Sequence, residues 1–131
     1  MYRLVATVLG ALLSATNPAL AADQNDVVKL LTYRECTDCN LTDADLIHAD
    51  LRDANLKDSS LQRANLSQAN LDGANLRNAN LSFTTLHGAS LRGADLRGSQ
   101  LYGTDLRHAD LSGALLDSNA LEESHWQGSK G

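Results

Sequence analysis

The chain has 131 residues, a formal net charge of −5 and only 4% aromatic residues. That length sets one domain as the expectation, and so few aromatics would leave an ordinary globular core thin. The acid excess, with no broad basic face, argues against nucleic-acid phosphates as a general partner.

Residues 1–21 read as a secretory signal. Arg3 supplies a basic start, Leu4–Leu13 an apolar run, and Pro18-Ala19-Leu20-Ala21-Ala22 a small-residue cleavage site with Ala19 and Ala21 in the A-x-A pattern. Roughly ten apolar residues are too few to span a bilayer, so cleavage after Ala21 and no membrane span thereafter are expected. Removing Arg3, the segment's one charge, takes the net charge from −5 to −6 (−5 − 1).

Residues 22–38 form a cap and linker. Asp23 to Glu35 reads as a short helix, with Val27, Val28, Leu30 and Leu31 on one broad face and Asp23 and Asp26 where helix starts favour acids. An amphipathic helix just before a repeat array should cover its open end.

Residues 39–123 carry the array. Leucine stands at every fifth position from Leu41 to Leu121, seventeen times without a miss. A five-residue step turns about 140° on an α-helix and alternates faces on a flat strand, so neither element buries all of them. A chain that turns a corner every five residues does, because each side sends one leucine to a common axis. The residue two before each leucine is almost always Ala, Ser or Thr, and the residue directly before it is Asn or Asp in eleven of seventeen units. The first fits a tight interior and the second suits turns. Residues 124–131 form a polar tail in which Trp126 is expected as a lid on the last coil, and 127–131 are expected to be disordered.

Units such as Ala64-Asn65-Leu66-Ser67-Gln68, Ala74-Asn75-Leu76-Arg77-Asn78 and Ala94-Asp95-Leu96-Arg97-Gly98 resemble the A-(D/N)-L-x-x signature of pentapeptide-repeat proteins. Leu30 to Leu41, with Cys36 and Cys39, also resembles the L-L-x-T-x-x-C-x-x-C-(D/N)-L opening of cyanobacterial members. The resemblance implies an all-β fold: a right-handed quadrilateral parallel β-helix of about four coils, four pentapeptides to a coil, behind a short N-terminal capping α-helix. Leu115, in place of Asn/Asp, and Asn119-Ala120 depart from the pattern near the C-terminal cap.

With twenty residues per coil, residues twenty apart stack in columns. Cys36 and Cys39, the only cysteines, should oxidise in an exported protein and pin the cap to the first coil. A redox-active dithiol lacks the usual βαβ setting, and zinc lacks further ligands. Lys57, Arg77 and Arg97 form a candidate anion stripe, with Asp58 and Asp117 nearby as counter-charges; a plain solvated face is the alternative. Arg52, Asp72 and Arg92 alternate in sign as a surface ladder. Phe83 and Tyr102, the only aromatics inside the repeats, form a candidate partner patch with Arg63 beneath Phe83 for a cation–π contact. His48, His87 and His108 share a face, but no ligand set for a metal is complete.

No catalytic constellation or phosphate-cradling loop is present, and the expectation is a non-enzymatic exported scaffold without cofactors. It would bind an unknown protein partner in the periplasm or, for a cyanobacterial chain, the thylakoid lumen. The alternatives are a DNA-mimicking inhibitor of topoisomerases such as gyrase, which the export segment and the unevenly spread acids oppose, and a disulfide-based redox-sensitive module.

Overall fold

The computed structural model describes residues 21–131. The export segment, Ala21 apart, lies outside the described residues.

α1 (Gln24–Tyr33) is the one α-helix among them. It is two residues shorter at its C-terminal end than the sequence suggests, and Asp23 caps it rather than joining it. The Asp23 carboxylate accepts from the Asn25 and Asp26 N–H groups, and Arg34 closes the helix in a left-handed conformation. Only Val27 and Leu30, three residues apart, are buried; Leu31 faces solvent. The end-covering face is thus narrower than the four-residue cluster in the sequence. No described helix is long and apolar enough to cross a membrane.

Every β-bridge is parallel and joins residue i to residue i+20, from Glu35–Asn55 to Asp110–Lys130. One circuit therefore takes twenty residues, or four pentapeptides. Each side repeats one hydrogen-bond scheme. The leucine N–H donates to a carbonyl one coil on, as from Leu66 to Thr85, and the residue before it donates back, as from Asn65 to Ala44.

The corners follow from the unit. The N–H of the small residue donates to the carbonyl of the leucine three before it, as from Ala64 to Leu61 (3.0 Å). The residue between them has positive φ at every fifth position from Asp38 to Gly113. An i to i+3 bond with positive φ at the third residue is the type II turn. Asn and Asp before the leucine hold the next turn: Asn70 Oδ1 accepts from the Asp72 N–H at 3.0 Å, and all eleven such residues make the same bond.

The interior is a leucine column with small residues between. Leucines 41 to 111 are all buried, and each contributes roughly 1.5–3 kcal/mol. Where the small slot is polar, its hydroxyl is satisfied: Thr84 and Thr104 donate to the Leu61 and Leu81 carbonyls, and Ser59 to Leu56. An unpaired hydroxyl there would cost about 1–3 kcal/mol.

Regularity fails after Leu115. Ala120 does not pair with Gln100, and the ladder resumes with Asp105–His125 and Asp110–Lys130. The tail expected to be disordered instead extends the rod. Trp126 falls in the leucine frame, Ser124 and Ser129 in the small slot, and Gly128 at a corner with φ of 74°. Hydrogen bonds to Leu106, Thr104, Leu111 and Ala109 hold this stretch down.

Candidate partner-binding site

Phe83 and Tyr102 come together as the column map requires. Their rings meet edge to face, with centroids 5.3 Å apart and planes at 86°. Both remain in solvent, Phe83 56% and Tyr102 55% exposed. The Phe83 N–H donates to the Tyr102 carbonyl at 2.8 Å, so the coil ladder fixes one ring against the other. Phe83 occupies a corner at φ of 60°, where a bulky side chain is an outlier. Its ring leans over the next coil, where Gly103 leaves the space. Gly103 therefore belongs to this site, although nothing in the repeat pattern itself singles it out. The aromatic residue twenty positions before a glycine was the available signal.

Arg63 does not join the patch. Its guanidinium grips the Asp43 carboxylate in the coil below through two bonds of 2.7 and 2.8 Å. A bidentate ion pair outcompetes contact with an exposed ring, so the cation–π expectation is replaced by an Asp43–Arg63 rung.

The anion stripe is largely neutralised. Lys57 lies 3.4 Å from Asp58, and Arg97 lies 2.6 Å from Asp95. A simple rule accounts for the arginines: one following a leucine pairs with an acid just before that leucine, as in Arg52–Asp50, Arg97–Asp95 and Arg107–Asp105. Arg77 follows Asn75 and, among the described residues, pairs with no carboxylate. Arg92 follows Ser90 and reaches down to Asp72 instead. Arg52 therefore leaves the expected Arg52–Asp72–Arg92 ladder. Hydrogen bonds from Arg97 and Arg107 lower the Asp95 and Asp105 pKa values to about 2, against partial desolvation.

Cys36 and Cys39 form a disulfide. Both are already in the first coil, since the Cys36 N–H donates to Asn55 and the Cys39 carbonyl accepts from Ser60. Asn40 ties α1 to the coil, its N–H donating to the Asp26 carboxylate and its carbonyl accepting from Asp23, each at 2.8 Å, while the Cys36 sulfur lies 3.2 Å from the Asp26 carbonyl. The disulfide thus lies beside the junction that it was expected to pin. Asp26, Cys36 and Cys39 place one donor atom each within 4.8 Å of one another, the one such group of three among the described residues. The bond between the sulfurs occupies two of the three as metal ligands. On another face His87 and His108 meet edge to face at 5.3 Å, and the His87 Nδ1 is buried without a partner. His48 lies three coils below His108 in the same column.

Comparison with known proteins agrees with this geometry. The family model for pentapeptide repeats, which describes eight copies, matches residues 39–78 and again 74–113. A search of curated proteins found no match. Among solved structures, a pentapeptide repeat protein from Nostoc PCC 7120 is 34% identical, with 85% of this chain and 97% of that one covered and a TM-score of 0.60. HetL, involved in heterocyst differentiation regulation in Nostoc sp. strain PCC 7120, is 31% identical over 73% of this chain, with a TM-score of 0.57. The chain spans only 46% of HetL. A pentapeptide repeat protein of the Arabidopsis thaliana thylakoid lumen is 30% identical over 56% of this chain and 58% of its own, with a TM-score of 0.41. The matched repeats, running from residue 39 to 113, fill more than half of the sequence, and the chain belongs to the pentapeptide repeat family.

Proposed function

We propose that this chain is a non-enzymatic, exported scaffold that binds a protein partner through the face bearing Phe83 and Tyr102. The observation that carries the reading is the edge-to-face pair of two exposed rings on one face of the repeat array. Exposed aromatics in a rigid setting are the usual anchors of protein interfaces. We read the winding as right-handed, as in the family's β-helices. A leucine-filled interior leaves the protein its outer faces for recognition, whereas catalysis favours concave pockets. Export rests on the Arg3, Leu4–Leu13 and Ala19-Leu20-Ala21 pattern.

Affinity capture from the exported compartment tests the reading. Phe83→Ala/Tyr102→Ala should lose partners that the parent chain recovers, and equal recovery would reject the patch. Unprocessed chain in the cytosol would revive the gyrase-inhibitor alternative, although the repeat region's Asp72, Asp95 and Asp105 are matched by arginines rather than forming a negative stripe. A redox-sensitive cap is the second reading, supported by the disulfide. Identical partner binding and cap mobility with and without reductant would end it.

A further inference from the structure

The interruption of the coil at residues 116–123 creates a surface unlike any other on the rod. Gln100 lacks its partner at position 120, and the Gly98 N–H takes the Asp117 carboxylate at 2.8 Å instead of a backbone carbonyl. Backbone pairing resumes where Gly103 donates to Glu123 at 2.7 Å. The stretch between stands off the coil beneath, and a concavity opens on each side of it.

The first, about 380 Å³, has an apolar floor of Leu116, Leu121 and Trp126. The second, about 430 Å³, runs beneath Tyr102 and is rimmed by Glu122 and Glu123. Asp117, Asn119 and Glu122 line both, so the two are halves of one surface. Leu115 and Trp126, 47% and 51% exposed, add apolar area at this end of the rod.

Charge selects the occupant. No basic residue lines either half, and among the described residues Glu122 and Glu123 have no ion-pair partner. Within the repeats, by contrast, Asp43, Asp50, Asp72, Asp95 and Asp105 are held by arginines and Asp58 by Lys57. Two copies meeting here across a two-fold axis would set Glu122 and Glu123 against their own equivalents, which opposes self-association. The complement of an apolar floor beside a carboxylate rim and an exposed phenol ring is a segment with apolar side chains flanked by ammonium or guanidinium groups.

We infer that this broken coil is a docking groove for a basic amphipathic peptide segment of a protein partner. Leu116, Leu121 and Trp126 would take its apolar side chains, and Tyr102, Glu122 and Glu123 its cations. The inference rests on the partner-binding reading through Tyr102, and it adds the partner's chemistry.

Trp126 is the chain's single tryptophan, so its emission reports on the apolar half directly. The probe is a synthetic amphipathic Leu/Lys peptide of about five helical turns, titrated into the full chain beside a Leu/Glu counterpart. The Leu/Lys peptide should shift Trp126 emission to the blue and saturate. Glu122→Gln/Glu123→Gln should weaken it about fivefold, the scale of two partly exposed ion pairs. Asp38→Asn/Asp45→Asn, which removes two acids at the far end, should leave the affinity within about twofold.

Equal binding of the Leu/Glu peptide would overturn the inference, as would equal loss in the Asp38/Asp45 control. A Trp126 shift that depends on protein concentration without peptide would assign the groove to a second copy and overturn it too. If Phe83→Ala/Tyr102→Ala abolishes partner capture while Glu122→Gln/Glu123→Gln binds the Leu/Lys peptide like the parent chain, the aromatic patch stands and the groove falls.

Discussion

Gly103 holds open the space in which the Phe83 ring lies: a Cβ on Gly103 would stand 2.7 Å from Phe83 Cδ1. The same relation recurs along the rod, with Asp53 under Gly73, Asn78 under Gly98 and His108 under Gly128. A corner side chain leans over the coil above, and a glycine there gives it room. At Phe83 this construction sets an aromatic ring flat enough to meet Tyr102.

The glycine relation makes a paired prediction. Gly93 has nearly the same φ as Gly103, but nothing lies within 4 Å of an added Cβ. Gly93→Ala should cost only the left-handed backbone penalty of about 1–2 kcal/mol. Gly103→Ala should cost about 1–3 kcal/mol more, the scale of overpacking, and adding Phe83→Ala should restore most of that difference. Urea unfolding measures all three, and equal costs at Gly93 and Gly103 would remove the steric argument.

Core depth predicts a gradient along the rod. Leu76 is fully buried, whereas Leu116 is only partly so. Leu76→Ala should destabilise by about 2–5 kcal/mol, the usual range for emptying a packed site. Leu116→Ala should cost less than half as much, because water already reaches that end. Chemical denaturation of the two variants provides the comparison.

Acid should weaken the rod through its Asp–Arg pairs. The Arg97 hydrogen bond lowers the Asp95 pKa from the usual 3.8 to about 2, and Arg107 does the same for Asp105. Between those values the unfolded chain binds more protons than the folded one. The contribution is therefore complete above about pH 4 and is lost as the pH falls towards 2. Arg97→Gln should be less stable than the parent near neutrality, and the gap should close over that window. A gap independent of pH would show that the pair contributes nothing through its charge.

The cap junction offers a fourth comparison. The disulfide closes a loop of sequence separation three, so Cys36→Ser/Cys39→Ser should cost only about 2 kcal/mol. Asp26→Ala should loosen α1 more selectively, because it removes the acceptor of the Asn40 N–H. Hydrogen exchange should then speed up in residues 24–33 while the amides of Leu66 and Leu71 stay protected. Equal acceleration in both regions would contradict a separable cap.

The leucine period made the corners and the filled core legible, and the family resemblance supplied the twenty-residue circuit that stacks Phe83 with Tyr102, because a pairing of i with i+20 converts sequence directly into columns. Side-chain direction within a column was not legible. Arg63 and Arg92 turn down to acids in the coil below, whereas Arg97 and Arg107 turn to acids two residues back. Each arginine takes the one acid its position offers: Ser90 precedes Leu91, so Arg92 turns to Asp72, whereas Asp95 and Asp105 precede the leucines before Arg97 and Arg107. The tail was misread because Trp126 and the polar run around it hide the frame. Ser124, Trp126, Gly128 and Ser129 nevertheless keep the small, large and corner positions. Leu115 marked where regularity ends, but whether the chain would stay on the coil or stand off it depended on the Asp117 contact with Gly98.

The most direct test of the account is photo-crosslinking in the exported compartment. A benzophenone side chain at position 102 would sit on the aromatic face, and one at position 92 on the face of the Asp72–Arg92 pair. The account predicts a discrete protein adduct from position 102 and none from position 92. Adducts of equal yield from both positions, or none from position 102, would contradict it.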